Sequence, residues 1–278
     1  TLFNMFNLPA SVTPLVEKLN QGRRLTRTEA KTLITDAPLA LLGLLATQAK
    51  ERTSGKAVFY NRNFHIEPTN ICVFNCRFCS YRRPADSPEA WDYSMEDILK
   101  QVDQHKNSGA TEIHIVGGVH PRNGLDYYIE LIQAIRAKMP HVSVKAFTAI
   151  ELAYMIHKAG LSLEEGLTRL KAAGMEAIPG GGAEIFAEPI RSRICPEKGS
   201  AEEWLAVHRA AHKLQIPTNA TILYGHIESL DDRIDHLDRL RTLQDETGGF
   251  NAFIPLKYRS RHNSMESIGE VSIVEDMR

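Results

Sequence analysis

The chain has 278 residues, 43% of them apolar and 24% charged, which is ordinary globular composition with length enough for one large α/β domain or two small ones. With 33 basic against 34 acidic side chains the net charge is −1, so nothing suggests a nucleic-acid or polyanion binder, and a small molecule is the expected partner. The longest apolar run, Leu39–Ala46, is well short of the ~20 residues of a membrane span, and no signal peptide is visible, so a cytoplasmic protein with no membrane partner is expected.

Residues 1–55 read as an N-terminal helical extension. Thr26-x-x-Glu29 is a capping-box signal and Leu39–Lys50 is a periodic apolar stretch. From residue 56 to 278 the chain alternates. Strand-like runs are Asn63–Glu67, Glu112–Val116, Val142–Thr148, Ala177–Pro179, Thr218–Tyr224 and Ala252–Leu256. Helix-like segments lie between them at Ser94–Lys106, Tyr127–Lys138, Ser162–Ala173, Ser200–Leu214 and Leu230–Gln244. Ser94, Ser162 and Ser200, each with an acidic residue three positions on, mark helix starts, and Gly109 and Gly174 mark ends.

Such alternation implies a parallel sheet, and its regular length favours an α/β TIM-type barrel or partial barrel over a doubly wound sheet. The first strand also leads into a cysteine loop rather than a phosphate-binding glycine turn. Gly269–Arg278 reads as the opening of a further helix with no strand after it. A closed eight-stranded barrel needs about two more βα units, so the expectation is an open barrel or a chain whose C-terminal part is missing.

Four cysteines are too sparse for a disulfide scaffold, and Cys72, Cys76 and Cys79 lie on one short loop with C-x3-C-x2-C spacing. Iron–sulfur clusters are normally held by four cysteines, so three local thiolates leave one iron of a [4Fe–4S] cluster without a protein ligand. An open iron can chelate the amino and carboxylate groups of S-adenosylmethionine (SAM). Structural zinc is the competing reading, with His65 or Cys195 as fourth ligand, although its ligands usually come as two separated pairs. Inert buried cysteines are a third.

Two glycine clusters end strands, Gly117-Gly118 and Gly180-Gly181-Gly182, where backbone can approach a ligand closely; plain turns are the alternative.

The cysteine pattern, with Phe78 before the last cysteine and Tyr81 after it, resembles the radical SAM signature. HIEPTNICVFNCRFCSY, EIHIVGGVHP, KAFTAIEL, IPGGGAEIF, NATILYGHIE and LQDETGGFNAFIPL together resemble the menaquinone futalosine-pathway group. The match is best to the aminofutalosine synthases, with the cyclic dehypoxanthine futalosine synthases and deazaflavin (FO) synthase subunits next. The resemblance covers roughly residues 60 to 278. It implies a [4Fe–4S] cluster on the three cysteines and SAM as cosubstrate, with Phe78, Tyr81, Gly117, Gly118 and Gly180–Gly182 lying along it. Val119 departs from the acidic residue often found there.

By the same resemblance Glu184 or Glu151 meets the SAM ribose or amino group, and Arg191 or Arg193 pairs with its carboxylate. It implies addition of the 5′-deoxyadenosyl radical to 3-[(1-carboxyvinyl)oxy]benzoate, giving 6-amino-6-deoxyfutalosine with loss of CO2 or bicarbonate, and an electron donor such as flavodoxin or ferredoxin. Substrate binding is expected from Asn219, Tyr224 and Lys257. His65, Glu67 and His226 are expected in catalytic roles, and Phe147, Ile185 and Phe253 in an apolar wall. A non-catalytic cluster- or zinc-binding module is the alternative from another class.

Overall fold

The computed structural model describes residues 7–278. Helices α1 (Thr13–Asn20), α2 (Arg27–Asp36) and α3 (Leu39–Ser54) open it. Helix α2 starts where the capping box predicts: the Thr26 hydroxyl accepts from the Glu29 amide and the Glu29 carboxylate accepts from the Thr26 amide at 2.7 Å. The three helices bury Val12, Val16, Leu33 and Leu41 in a core of their own.

The alternation follows as β1 (Asn63–Ile66), α4 (Met95–Gln104), β2 (Glu112–Ile115), α5 (Leu125–Lys138), β3 (Ser143–Ala146), α6 (Ala149–Lys158), α7 (Leu163–Ala173), α8 (Glu188–Ile194), α9 (Ala201–Lys213), β4 (Thr218–Tyr224), α10 (Leu230–Thr247), β5 (Phe250–Lys257) and α11 (Ile273–Met277). Strands β1–β2–β3 form one parallel sheet and β4–β5 a parallel pair. Single bridges Lys145–Ala177 and Ile178–Thr218 carry the ladder from one to the other, so the short run at 177–178 stands in the place of a strand. The result is an α/β partial barrel whose sheet does not close among the described residues. Ion pairs at 2.6 Å from Arg27 to Asp235 and Asp238, and from Lys31 to Asp231, tie α2 to α10. Exposed pairs contribute little stability and mainly fix orientation.

Strand alternation sorts the side chains. Phe64, Ile66, Ile113, Ile115, Val144 and Ala146 point to the helices and join Leu131, Ile135, Leu152, Ile156 and Leu170 in the main core. Their alternates, Asn63, His65, Glu112, His114, Ser143 and Lys145, share the opposite, inner face in register.

The third strand is shorter than the sequence suggests. It ends at Ala146; Phe147 adopts φ 63° and packs its ring 4.8 Å from Tyr128. Thr148 then caps α6, its hydroxyl accepting from the Glu151 amide while the Glu151 carboxylate accepts from the Thr148 amide at 2.7 Å. Helices α6 and α8 have no counterpart among the elements that the sequence predicts.

Three buried histidines lock α9 and α10 to β4. His208 Nδ1 and His212 Nε2 each lie 2.8 Å from the Thr218 hydroxyl, and His236 Nε2 donates to the Thr221 carbonyl at 2.9 Å. Burial pushes His212 and His236 down to about 4, and His208 also well below its usual value. An unfolded chain protonates such histidines near 6.5, so it binds more protons than the fold between about pH 6.5 and 4. Stability is therefore full above that window and is lost as pH falls through it. Urea denaturation at about pH 4.5 is expected to show a lower midpoint than at about pH 7.5. His236→Gln is expected to shrink the difference.

Candidate active site

The exit of β1 is built around buried polar residues. The Thr69 hydroxyl donates to the Trp91 carbonyl at 2.7 Å, and Asn70 accepts from the Trp91 amide at 2.8 Å and donates to the Glu89 carbonyl at 3.0 Å. These bonds anchor the loop that carries Cys72, Cys76 and Cys79. The Val73 amide donates to the Val119 carbonyl at 3.0 Å, and the Arg77 amide to the Ile194 carbonyl at 2.8 Å. The cysteine loop is thereby strapped to the exit of β2 on one side and to α8 on the other.

Close approach explains the glycines. A Cβ on Gly118 would lie 2.2 Å from the Ile71 carbonyl oxygen, and one on Gly180 would lie 2.1 Å from the Asn219 carbonyl oxygen, where φ is also +88°. Main-chain packing already demands glycine at both. Gly117 and Gly118 do line the cavity described next; Gly180, Gly181 and Gly182 do not. The carbonyls of this second cluster are held by side chains instead: Thr221 on Gly180 at 2.8 Å, Trp204 on Gly181 at 3.2 Å, and Arg191 on Gly182 and Ala183 at 3.4 and 2.7 Å.

A cavity of about 130 Å³ is lined by all three loop cysteines with Phe74, Phe78, Tyr81, Gly117, Gly118, Ile150, Glu151 and Lys198. Glu151 is buried; its carboxylate accepts from the Gly117 amide at 3.0 Å as well as from Thr148, yet burial still pushes it up to about 7. Lys198 pairs with Glu184 at 2.5 Å and stands 5.7 Å from the centre of the Phe78 ring. Burial alone would lower this ammonium, but Glu184 and the nearby Cys76 hold it above its usual value. Burial also pushes the Cys76 thiol up to about 12 and raises Cys72. Tyr81, which lines the cavity, is raised by burial and by the neighbouring Glu67; Glu67 itself is not among the lining residues.

No three His, Cys, Asp or Glu side chains among the described residues converge on one point as a single metal ion requires. The three thiols line one cavity, which a polynuclear cluster can share, and Cys195 does not line it: it sits with Ile185, Ile194, Ile222 and Leu223 in the apolar cluster against which Cys76 packs. The donor set fits a cluster better than zinc.

Residues 66–240 match the Radical SAM superfamily model. This chain belongs to the Radical SAM superfamily. It is a radical SAM enzyme, and the superfamily's cofactors, a [4Fe–4S] cluster and SAM, are its own. It is 44% identical over 252 residues to the aminodeoxyfutalosine synthase of Thermus thermophilus, covering 91% of this chain and 68% of that protein. It is 40% identical over 213 residues to the 5-amino-6-(D-ribitylamino)uracil–L-tyrosine 4-hydroxyphenyl transferase of Methanopyrus kandleri, covering 77% of this chain and 58% of that protein. The crystal structure of methylornithine synthase (PylB) shares its fold, with TM-score 0.69 at 17% identity over 93% of this chain and 72% of that one. The chain thus spans roughly two thirds of the length of the curated relatives it matches.

Other expected residues of this radical SAM chain lie elsewhere. Arg191 is buried and directs its guanidinium at the carbonyls of Gly182, Ala183, Ile185 and Gly199, so it clamps a loop rather than facing the cysteines. Arg193 is exposed. Asn219 lies on β4 against Gly180. His226 Nδ1 stands 3.1 Å from Glu228 and its Nε2 donates to the Leu223 carbonyl at 3.1 Å, inside a turn. Tyr224 and Lys257, partners in the β4–β5 register, meet Asp276, with Lys257 at 3.5 Å. Tyr224 lines a separate cavity of about 490 Å³, with Phe253 and residues of α10 and α2. Phe147 and Ile185 are in the cores. Lys198 went unnoticed in the sequence: its ICPEK segment meets Glu184 only after the chain has turned through α8.

Alanine at Cys72, Cys76 or Cys79 is expected to abolish the brown chromophore and most of the iron after anaerobic reconstitution, while Cys195→Ala keeps both; absorbance and iron-to-protein ratio decide it. Arg191→Lys strands several buried carbonyls and is expected to cost roughly 2–4 kcal/mol of unfolding free energy by urea titration.

Proposed function

We propose that this chain carries the radical-forming core of an aminofutalosine synthase, which joins the 5′-deoxyadenosyl group of SAM to 3-[(1-carboxyvinyl)oxy]benzoate, with methionine leaving from SAM, and releases 6-amino-6-deoxyfutalosine with loss of the enolpyruvyl carboxylate as CO2 or bicarbonate. The single observation that carries the reading is the cavity in which three cysteines meet Gly117, Gly118, Glu151 and Lys198. The 44% identity to the Thermus thermophilus aminodeoxyfutalosine synthase supports the choice of member.

Cys72, Cys76 and Cys79 would hold a [4Fe–4S] cluster, which would supply the electron that cleaves SAM. The chain's own residues do the rest. Gly117 and Gly118 present main chain to the methionine end of SAM. Lys198 offers its carboxylate the cation that the sequence sought in Arg191 or Arg193. Glu151, held near neutrality in its pKa, accepts from the amino group or the ribose and can release its own proton as SAM arrives. Phe74, Phe78 and Ile150 keep the cavity poor in water, which protects a carbon radical from quenching. Glu67, beside Tyr81, faces the substrate side. The expected partner for reduction is a one-electron donor such as flavodoxin or ferredoxin.

A second reading rests on the 40% identity to the Methanopyrus kandleri transferase. The full-length protein, reconstituted anaerobically, reduced and given SAM with each candidate substrate in turn, is expected to form the aminofutalosine mass with 3-[(1-carboxyvinyl)oxy]benzoate and no adduct with tyrosine plus the ribitylaminouracil. The reverse pattern would replace the first reading by the second.

A further inference from the structure

The inner face of β1–β3 carries chemistry that the cysteine cavity does not use. His65, His114 and Lys145 occupy one register row across three neighbouring strands. The two imidazole rings lie 4.6 Å apart. His114 Nε2 is buried without any hydrogen-bond partner in the protein. Buried polar atoms are nearly always satisfied, so this nitrogen has a partner to gain from water or from a ligand.

The layer below is closed. Glu112 pairs with Lys145 at 2.7 Å and accepts from Asn61 and Asn63 at 3.3 and 3.4 Å. In the layer above, Glu67 is two residues beyond His65 on the same strand path, about 7 Å further along, and neighbours Tyr81 of the cysteine cavity. The row is therefore one side-chain layer beneath Glu67. It offers two imidazoles and an ammonium whose donors are not all used by Glu112. Burial, with His65 and Lys145 alongside, keeps His114 neutral, so no charge of its own repays that burial.

We propose that His65, His114 and Lys145 form the subsite for an aryl carboxylate, the end of the substrate remote from the carbon that reacts. This rests on the function proposed above. A ligand that places its unsaturated carbon beside Glu67 and its ring along the inner face brings a ring carboxylate down to this row. There the imidazole N–H groups and the ammonium donate to it, and the unmet nitrogen of His114 gains its partner.

The test uses full-length, cluster-loaded protein and two probes of equal shape, 3-hydroxybenzoate and 3-hydroxybenzamide, in anaerobic equilibrium binding. The parent is expected to prefer the acid by about 10-fold or more, the worth of one charge-assisted hydrogen bond. His114→Gln and Lys145→Met are expected to lose that preference, and Lys145→Arg to recover part of it, which guards against a variant that is merely misfolded. With the full substrate, KM is expected to rise in His114→Gln by far more than kcat falls. No preference in the parent, or one that survives in all the variants, overturns the subsite. If the parent prefers the acid but makes no aminofutalosine product, the function proposed above fails while the subsite stands.

Discussion

One main-chain contact places the three thiols. The Gly118 amide donates to the Thr69 carbonyl at 2.7 Å, and the two segments are so close that no Cβ fits between them. Thr69 is itself fixed through Trp91, and Val73 returns the contact by donating to Val119. The cysteine loop is thus an extension of the β1–β2 ladder beyond its last paired residues. Because the cavity wall and the cysteine loop are the same pair of strand exits, any side chain at position 118 moves both at once.

Electrostatics around the cavity follow from burial. Cys72 and Cys76 are held in their neutral thiol forms by desolvation, and Glu151 is brought near neutrality by the same cause. A cationic iron cluster reverses the sign of that cost, because thiolate ligation releases the protons that burial retains. Lys198 differs from these groups. It keeps its charge inside the protein because Glu184, whose backbone is itself in the left-handed region at φ 49°, meets it at 2.5 Å. Removing either partner would leave a buried charge unpaired, the costly direction for such pairs. The Arg191 clamp on Gly182, Ala183 and Ile185 in turn holds Glu184 in that strained position.

The cysteines, the strand order and the helix caps were legible because each is a local signal. C-x3-C-x2-C needs no tertiary context, and Ser94, Ser162 and Ser200 each accept from an amide three residues on. The same signal stood at Thr148-x-x-Glu151 but was overridden by the apolar, strand-like run before it, which hid α6. The Gly180–Gly182 cluster was legible as a special backbone, while its packing partners, Asn219, Trp204 and Thr221, were not, because they are far off in sequence. Tyr224 and Lys257 were chosen because they end strands, and a strand end does not reveal a face. Parity would have: Ala220 belongs to the helix-side core and Ile222 lines the α10 cavity, so Tyr224, two residues on each time, shares their side.

Parity also ties recognition to folding. In β1–β3 every second residue is core and its neighbour is inner face, so Ile113 and Ile115 are fixed by apolar packing on Leu131 and Ile135 while His114 between them is fixed by exclusion. A one-residue slip of β2 would carry Glu112 and His114 into the helix layer and Ile113 out of it, at the cost of an unpaired carboxylate among apolar side chains. The parity that buries the isoleucines therefore puts His65, His114 and Lys145 on the inner face, where the observed register aligns them in a row. The polar inner face needs no separate device to hold it: the precision of any site built there is inherited from the core on the other side of the same three strands.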